Sequence, residues 1–436
     1  MADIHPFRGI RYNQGLVKDL SSAICPPYDI IGPAMAEELR HQSEYNFIRL
    51  ELWIPQETDG DDKYTRSAAT LEQWLKQGVL KMDEVPAIYL HDCYFTYNGK
   101  EYRRRGMIAC IRLEEWEKMV VRPHEDTLGA PKADRLKLLW ALQANTSPVF
   151  VMYEDREQQI SSLLALEEQK QPIISLSSAT EGRHNIWAIT EPEVVGKICA
   201  NLAPKPLYIA DGHHRYTSAL NYRRERMGGS SSVSGEEEFN FVMTTLVDFS
   251  DPGLLLLATH RLVRGIPEAT LNELRTNLGP LFEIEEVPLD TSGVWQQADD
   301  LLSRGNAEQV RFVLVGLSPE SLIVLKLRDF SAVSQMMSAS QSELTKRLDV
   351  SILDNIILEE LLGLTDEKQK TALAFNHDLQ DSVNRVLNGE YQLAFLLRPI
   401  KAGTIKAVAD AGDRMPRKST YFYPKMPSGL LIHRLV

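Results

Sequence analysis

The stretch Ala203–Arg226, APKPLYIADGHHRYTSALNYRRER, admits few local structures. Pro204 and Pro206 introduce the apolar run Leu207, Tyr208, Ile209 and Ala210, which predicts an interior strand. Asp211-Gly212 ends that run, and glycine supplies the backbone freedom of a sharp turn. From His213 the spacing becomes helical: Tyr216, Ala219, Leu220 and Arg223 recur at α-helical intervals beneath a basic outer face. Asp211, His213, His214 and Arg215 therefore crowd the carboxyl end of a strand and the first turn of a helix. Amides at a helix N-terminus favour anions, and Arg215 adds a fixed, bidentate cation. Gly212, His213, His214 and Arg215 are accordingly the candidate phosphate loop, with Asp211 beside it as a possible metal ligand or histidine orienter. Two other readings stand next to this one. Asp211 caps the helix and the histidines are structural; or Asp211 and the histidines hold a metal, although adjacent histidines point in different directions.

A second charged loop precedes it. Val121–Phe150 sets Arg122, His124, Glu125, Asp126 and Thr127 in a loop punctuated by Gly129 and Pro131. An amphipathic helix then starts near Lys132, carrying Arg135 with Leu136, Leu139, Trp140 and Leu142, and stops before Asn145-Thr146-Ser147-Pro148. So many ionisable groups ahead of an amphipathic helix suit a ligand-facing loop better than a connector. Further upstream, Cys25-Pro26-Pro27-Tyr28-Asp29-Ile30 is a rigid loop that exposes Asp29. Asn46–Trp53 (NFIRLELW) alternates and reads as a strand whose polar face carries Arg49 and Glu51. The spacing over Asp62–Gly78 is helical, and Ala87–Leu113 is a long hairpin turning at Asn98-Gly99. On its return strand Arg103, Arg104 and Arg105 form either a solvated edge or a basic patch.

Gly228–Glu238 (GGSSSVSGEEE) is too polar and glycine-rich to pack, which makes it a linker or a mobile lid. A second unit begins near Asp251, after a first domain of residues 1–250, and alternates strands and helices through 251–436. Within it Val350–Leu362 and Asp378–Gly389 are helical and Tyr391–Leu397 is a strand. The last segment is cationic, aromatic and stiffened by proline. It carries Arg414, Lys418 and Lys425, three aromatics and a closing Leu430–Leu435 strand, so it is expected to dock and return to the site rather than to dangle.

The formal net charge of -12 argues against nucleic acid and anionic lipid as general partners and makes local basic clusters stand out. Cys25, Cys93, Cys110 and Cys199 lack CxxC spacing, so neither a zinc site nor a disulfide framework is expected, and a reducing cytoplasm is the simplest setting. The N-terminus shows no signal-peptide core, and no apolar run approaches the roughly 18 residues of a membrane helix.

The combination of PPYDII, NFIRLEL, HEDT…PKADRL…ANTSPVF, IADGHHRYTSAL and MPRKSTYFYPK, spanning Pro26 to Lys425, resembles the domain-of-unknown-function family 1015. Its DGHHR element is also similar to the phosphate loop of the ParB/sulfiredoxin superfamily, in particular that of the free-serine kinase branch. The resemblance implies a mixed α/β chain with a ParB/sulfiredoxin-like phosphate-loop core and a second α/β unit. It also implies a phosphotransferase acting on a small hydroxyl substrate, free L-serine first, with pyrophosphate or a nucleotide as donor. The phosphate-loop role falls on Asp211, Gly212, His213, His214 and Arg215; in the archaeal enzyme the loop comes early, whereas here about two hundred residues precede it.

For such a reaction, Asp211, His213, His214, Glu51 and Glu125 are the candidate catalytic groups, the base being open among Glu51, Glu125 and Asp29. Lys418 joins the phosphate-binding set. Asp29, Arg49, Arg122, His124, Thr127, Lys132, Arg135, Arg414 and Lys425 are the substrate-binding candidates. Magnesium is the expected cofactor, with Asp211 as its ligand. The alternatives are a non-catalytic nucleotide-binding module of the ParB type and a metal-dependent phosphatase.

Overall fold

Asn98 and Gly99 both take positive φ (49° and 72°), the backbone of a two-residue hairpin turn. They join β2 (Ile88–Tyr97) to β3 (Lys100–Arg112), around which the first of two units is built. The structure is a computed structural model and describes residues 1–52, 62–127, 129–178, 182–228, 234–290, 293–306, 309–339 and 341–436. The first unit comprises Met1–Pro123, Thr127–Leu255 and Pro424–Val436; the second comprises His124–Asp126 and Leu256–Tyr423.

The remaining strands of the first sheet are β1 (Ile4–His5), β4 (Val121–Arg122), β5 (Val149–Tyr153), β6 (Ile174–Ser178), β7 (Gly182–Ile189), β8 (Leu207–Asp211) and β9 (Phe241–Asp248). They line up as β4-β8-β5-β9-β3-β2-β7-β6, with β1 on β3. The pairs β4/β8 and β5/β9 are parallel and the others antiparallel, so the sheet is mixed. The two-residue period of β3 sends Met107, Ala109 and Ile111 into one core and Ile108 and Cys110 into another, so both faces are covered. Helices α1 (Gly129–Leu142) and α2 (His213–Gly228) pack against one another.

The second unit has a six-stranded antiparallel sheet. Its strands β10 (His260–Val263), β11 (Phe282–Pro288), β12 (Arg311–Val315), β13 (Ser321–Leu327), β14 (Leu373–Asn376) and β15 (Leu393–Leu396) are ordered β11-β13-β12-β15-β10-β14. Fully buried Arg261 on β10 forms a two-point ion pair with Asp354, at 3.1 and 3.0 Å. The helix expected over Val350–Leu362 is wound in two modes: an ordinary turn at Asp349–Ile352, then a wider coil over Leu353–Leu361, where the Leu362 amide reaches back to the Ile357 carbonyl.

Three local expectations are corrected. Asn46–Trp53 is not a strand: Ile48–Glu51 is a single helical turn, and Trp53 lies outside the described residues. Fully buried Asn46 drives this, because its side-chain oxygen accepts from the Ile48 amide while its amide group donates to the Ser22 and Ile24 carbonyls. Arg49 and Glu51 therefore do not share a solvated face; Arg49 donates to the Arg40 carbonyl and Glu51 is buried. Of Arg103–Arg105 only Arg103 is solvated, and the three form no common basic patch. Arg103 and Arg105 both pair with Glu168, Arg105 also holds fully buried Asp92 at 2.8 and 2.5 Å, and Arg104 points into the interior. The closing strand shortens to His433–Arg434. Of the expected linker or lid, residues 229–233 lie outside the described residues; after them the Glu237 carboxylate accepts from the Ser234 and Gly235 amides in a turn. Among the described residues, no helix is long and apolar enough to cross a membrane.

Removing fully buried Asp92 takes two charge-assisted hydrogen bonds from Arg105 and leaves it Glu168 alone, so Asp92→Ala should lower stability by about 2 kcal/mol in urea unfolding. A loss below about 1 kcal/mol would mean that Arg105 is held without Asp92.

Candidate functional site

Strand β8 delivers Asp211 to the edge of the core, and Gly212 turns the chain into α2 at φ +94°. A side chain at residue 212 would also collide: its Cβ would sit 2.9 Å from Arg215 Nε. Glycine is thus required twice, for the backbone angle and for the guanidinium folded back over it. Arg215 meets the Asp211 carboxylate at 2.5 Å and also donates to the Pro148 carbonyl. The other Asp211 oxygen accepts from Lys425, carried by the closing segment of the same unit. Burial alone would raise the Asp211 pKa; Lys425 and Arg215, with His213 behind them, outweigh it and hold the carboxyl far below its usual range. His213 is buried in the first turn, and His214 follows it half-buried.

Arg215 lines a small, partly open cleft of about 30 Å³ with Glu51, Arg135, Asn145, Thr146, Ser147 and apolar Leu138 and Leu139. Glu51, 2% exposed, is fixed on both sides: Arg135 Nη1 donates to one oxygen at 3.0 Å and Ser147 Oγ to the other at 2.6 Å. Arg135 is in turn gripped along its other edge by Asp134, at 2.9 and 2.5 Å, and lies 4.1 Å from the centre of the Tyr28 ring. Asp134 also takes Lys63 at 2.5 Å and the Tyr64 hydroxyl at 2.9 Å. Burial raises its pKa, but Arg135, Lys63 and Tyr64 together bring it down to about 2. Burial pushes the Tyr28 phenol up to about 12 against the opposing fields of Arg215 and Arg135, so this ring stands near both cations.

Of the residues singled out from sequence, Asp211, Gly212, His213, Arg215 and Lys425 meet at this corner, and Glu51 and Arg135 line the cleft with Arg215. Asp29 is exposed and Arg122 stacks near Tyr208, donating to the Met119 carbonyl. The Lys132 carbonyl accepts from Ser218, which ties the start of α1 to α2. His124, Glu125, Arg414 and Lys418 belong to the second unit. There the Glu125 carboxylate accepts from the Ser419 and Thr420 amides, fully buried His124 meets Thr420 Oγ1 at 2.9 Å, and the Lys418 carbonyl accepts from Arg261. Arg414 lies 3.9 Å from Asp126 and donates to the Gly412 and Asp413 carbonyls. Sequence reasoning missed Tyr28, Asp134 and Ser147, although each adjoins a motif already singled out; it chose Asp29 over its neighbour because acids, not phenols, are the usual site residues.

Magnesium held by Asp211 does not fit this geometry, because both carboxylate oxygens are already engaged by cations. Among the described residues, no group of three or more His, Cys, Asp and Glu is arranged to hold a metal ion.

These observations define a mixed α/β protein with a cation-lined corner at a helix N-terminus. The chain belongs to the family described as Protein of unknown function (DUF1015), whose model matches residues 4–351. No curated protein matches the sequence. Among solved structures it is similar to a conserved hypothetical protein from Pyrococcus furiosus, at 13% identity and a TM-score of 0.37, covering 76% of this chain and 97% of that one. It is similar to a free serine kinase in complex with AMP, at 13% identity and a TM-score of 0.37, covering 75% and 91%. A third, SbnI with C-terminal truncation from Staphylococcus aureus, shows 9% identity and a TM-score of 0.35, covering 75% and 87%.

A carboxylate depressed in the fold stabilises it above its unfolded pKa and loses that contribution as pH falls through the folded value. Asp134→Asn should therefore cost roughly 2 kcal/mol at pH 6, and the gap to wild type should close as pH falls from about 4 to about 2. Unfolding free energies measured across that range check this; a gap that does not change with pH would refute it.

Proposed function

We propose that the protein is a phosphotransferase that moves a phosphoryl group from pyrophosphate or a nucleotide to a small hydroxy amino acid, free L-serine first. The carrying observation is the clamp of Arg215 and Lys425 on Asp211 at the N-terminus of α2, in the unit whose cleft joins Arg215 to buried Glu51. Phosphoryl transfer asks mainly for placement and charge neutralisation. Two fixed cations and the positive end of a helix of 16 residues supply both for donor oxygens. We read this corner as a phosphate loop of the ParB/sulfiredoxin kind.

Glu51 is the base we favour, because it lines the same cleft as Arg215, whereas Glu125 holds backbone amides in the second unit and Asp29 is exposed. In the reaction the serine Oγ forms a bond to the terminal phosphorus of the donor, the bond from that phosphorus to the departing phosphate (of pyrophosphate) or shortened nucleotide breaks, and the hydroxyl proton passes to the Glu51 carboxylate. Arg135 and Ser147 keep that carboxylate in place. Magnesium enters as a companion of the donor, not as an ion held by Asp211.

Purified protein incubated with L-serine, magnesium and pyrophosphate, ADP or ATP should form phosphoserine with one of the three donors, read by phosphorus NMR. Glu51→Gln should lower kcat by about 100-fold or more with the donor KM little changed. No phosphoserine from any donor would reject the proposal.

A further inference from the structure

Arg104 is the one arginine of the β3 triplet that turns inward, only 2% exposed, with its guanidinium 5.1 Å from the centre of the Phe150 ring. Its two terminal nitrogens are not spent on a carboxylate. Nη1 donates to the Pro424 carbonyl at 2.8 Å, and Nη2 reaches Met426 Sδ at 3.0 Å. These are the two residues that flank Lys425, whose ammonium pairs with Asp211. A planar fork with a tine on each neighbour fixes the backbone of the residue between them, which the point charge of a lysine could not do. Asp251 and Asp211 both act electrostatically on Arg104, so the buried cation lies within the field of the same corner. Burying a guanidinium against a carbonyl and a thioether is a costly way to hold a chain segment. The cost has a reason if the segment carries a working group.

We propose that Arg104 is a positioning residue for the anion corner: it holds Pro424 and Met426 so that Lys425 meets Asp211, which makes this closing segment part of the donor site. The assignment rests on reading the corner as a phosphate site. Arg104 touches no donor; it acts through Lys425.

The test is a double-mutant cycle with inorganic pyrophosphate as the probe, read by titration calorimetry, for Arg104→Met, Lys425→Met and the double variant. Each single change should weaken binding roughly tenfold, and the double variant should lie within about twofold of Lys425→Met, because both remove the same contact. Arg104→Met binding within twofold of wild type, or a double variant roughly a hundredfold weaker, would overturn the proposal. Amide hydrogen exchange gives a readout that does not depend on function: Arg104→Met should speed exchange at Lys425 and Met426 at least about tenfold. If wild type binds no pyrophosphate, the phosphate reading falls, and unchanged exchange at those amides sinks the positioning role separately. Should Arg104→Met fail to fold, Arg104→Lys keeps the charge without the fork and should weaken binding several-fold; wild-type affinity in that variant would refute the role.

Discussion

One carboxylate shared by two cations organises the first unit. Asp211 reaches the end of β8 at the edge of the core, where a bare anion would be expensive to keep, and Arg215 and Lys425 remove that cost from two directions. Each of those cations in turn is held at both ends. Arg215 is tied to the Pro148 carbonyl, and the residues either side of Lys425 are tied to Arg104. Strand end, helix start, the loop before β5 and the closing segment are thereby joined through a few charged contacts.

The same logic repeats at Glu51. Its oxygens are divided between Arg135 and Ser147, and Arg135 is divided between Glu51 and Asp134. A charge relay of this kind is rigid because each member is satisfied only while the others stay in place. The cleft lining mixes polar and apolar side chains, and α1 contributes to both with Arg135, Leu138 and Leu139.

Much of the fold is legible in local patterns. The hairpin follows from Asn98-Gly99, because only a pair tolerant of positive φ closes a two-residue turn with the right twist. The strand, turn and helix at 207–228 follow from a change of period at Asp211-Gly212. Alternation misled at NFIRLEL, where a buried asparagine with three backbone partners outweighed strand propensity. Counting charges misled at Arg103–Arg105, since adjacent residues on a strand face opposite ways and here only two of the three reach acids on the outer side.

By itself the sequence determined the local conformations and the kind of chemistry on offer: a glycine turn, a helix start, and a surplus of arginines, histidines and acids around them. Those depend on neighbours a few residues apart. Which acid meets which cation was decided only in three dimensions, because Asp211 and Lys425 are 214 residues apart and Glu51 and Arg135 are 84 apart. Burial, not spacing, selects such partners: a charge taken from water must find an opposite one nearby, and only the packed chain says which is near.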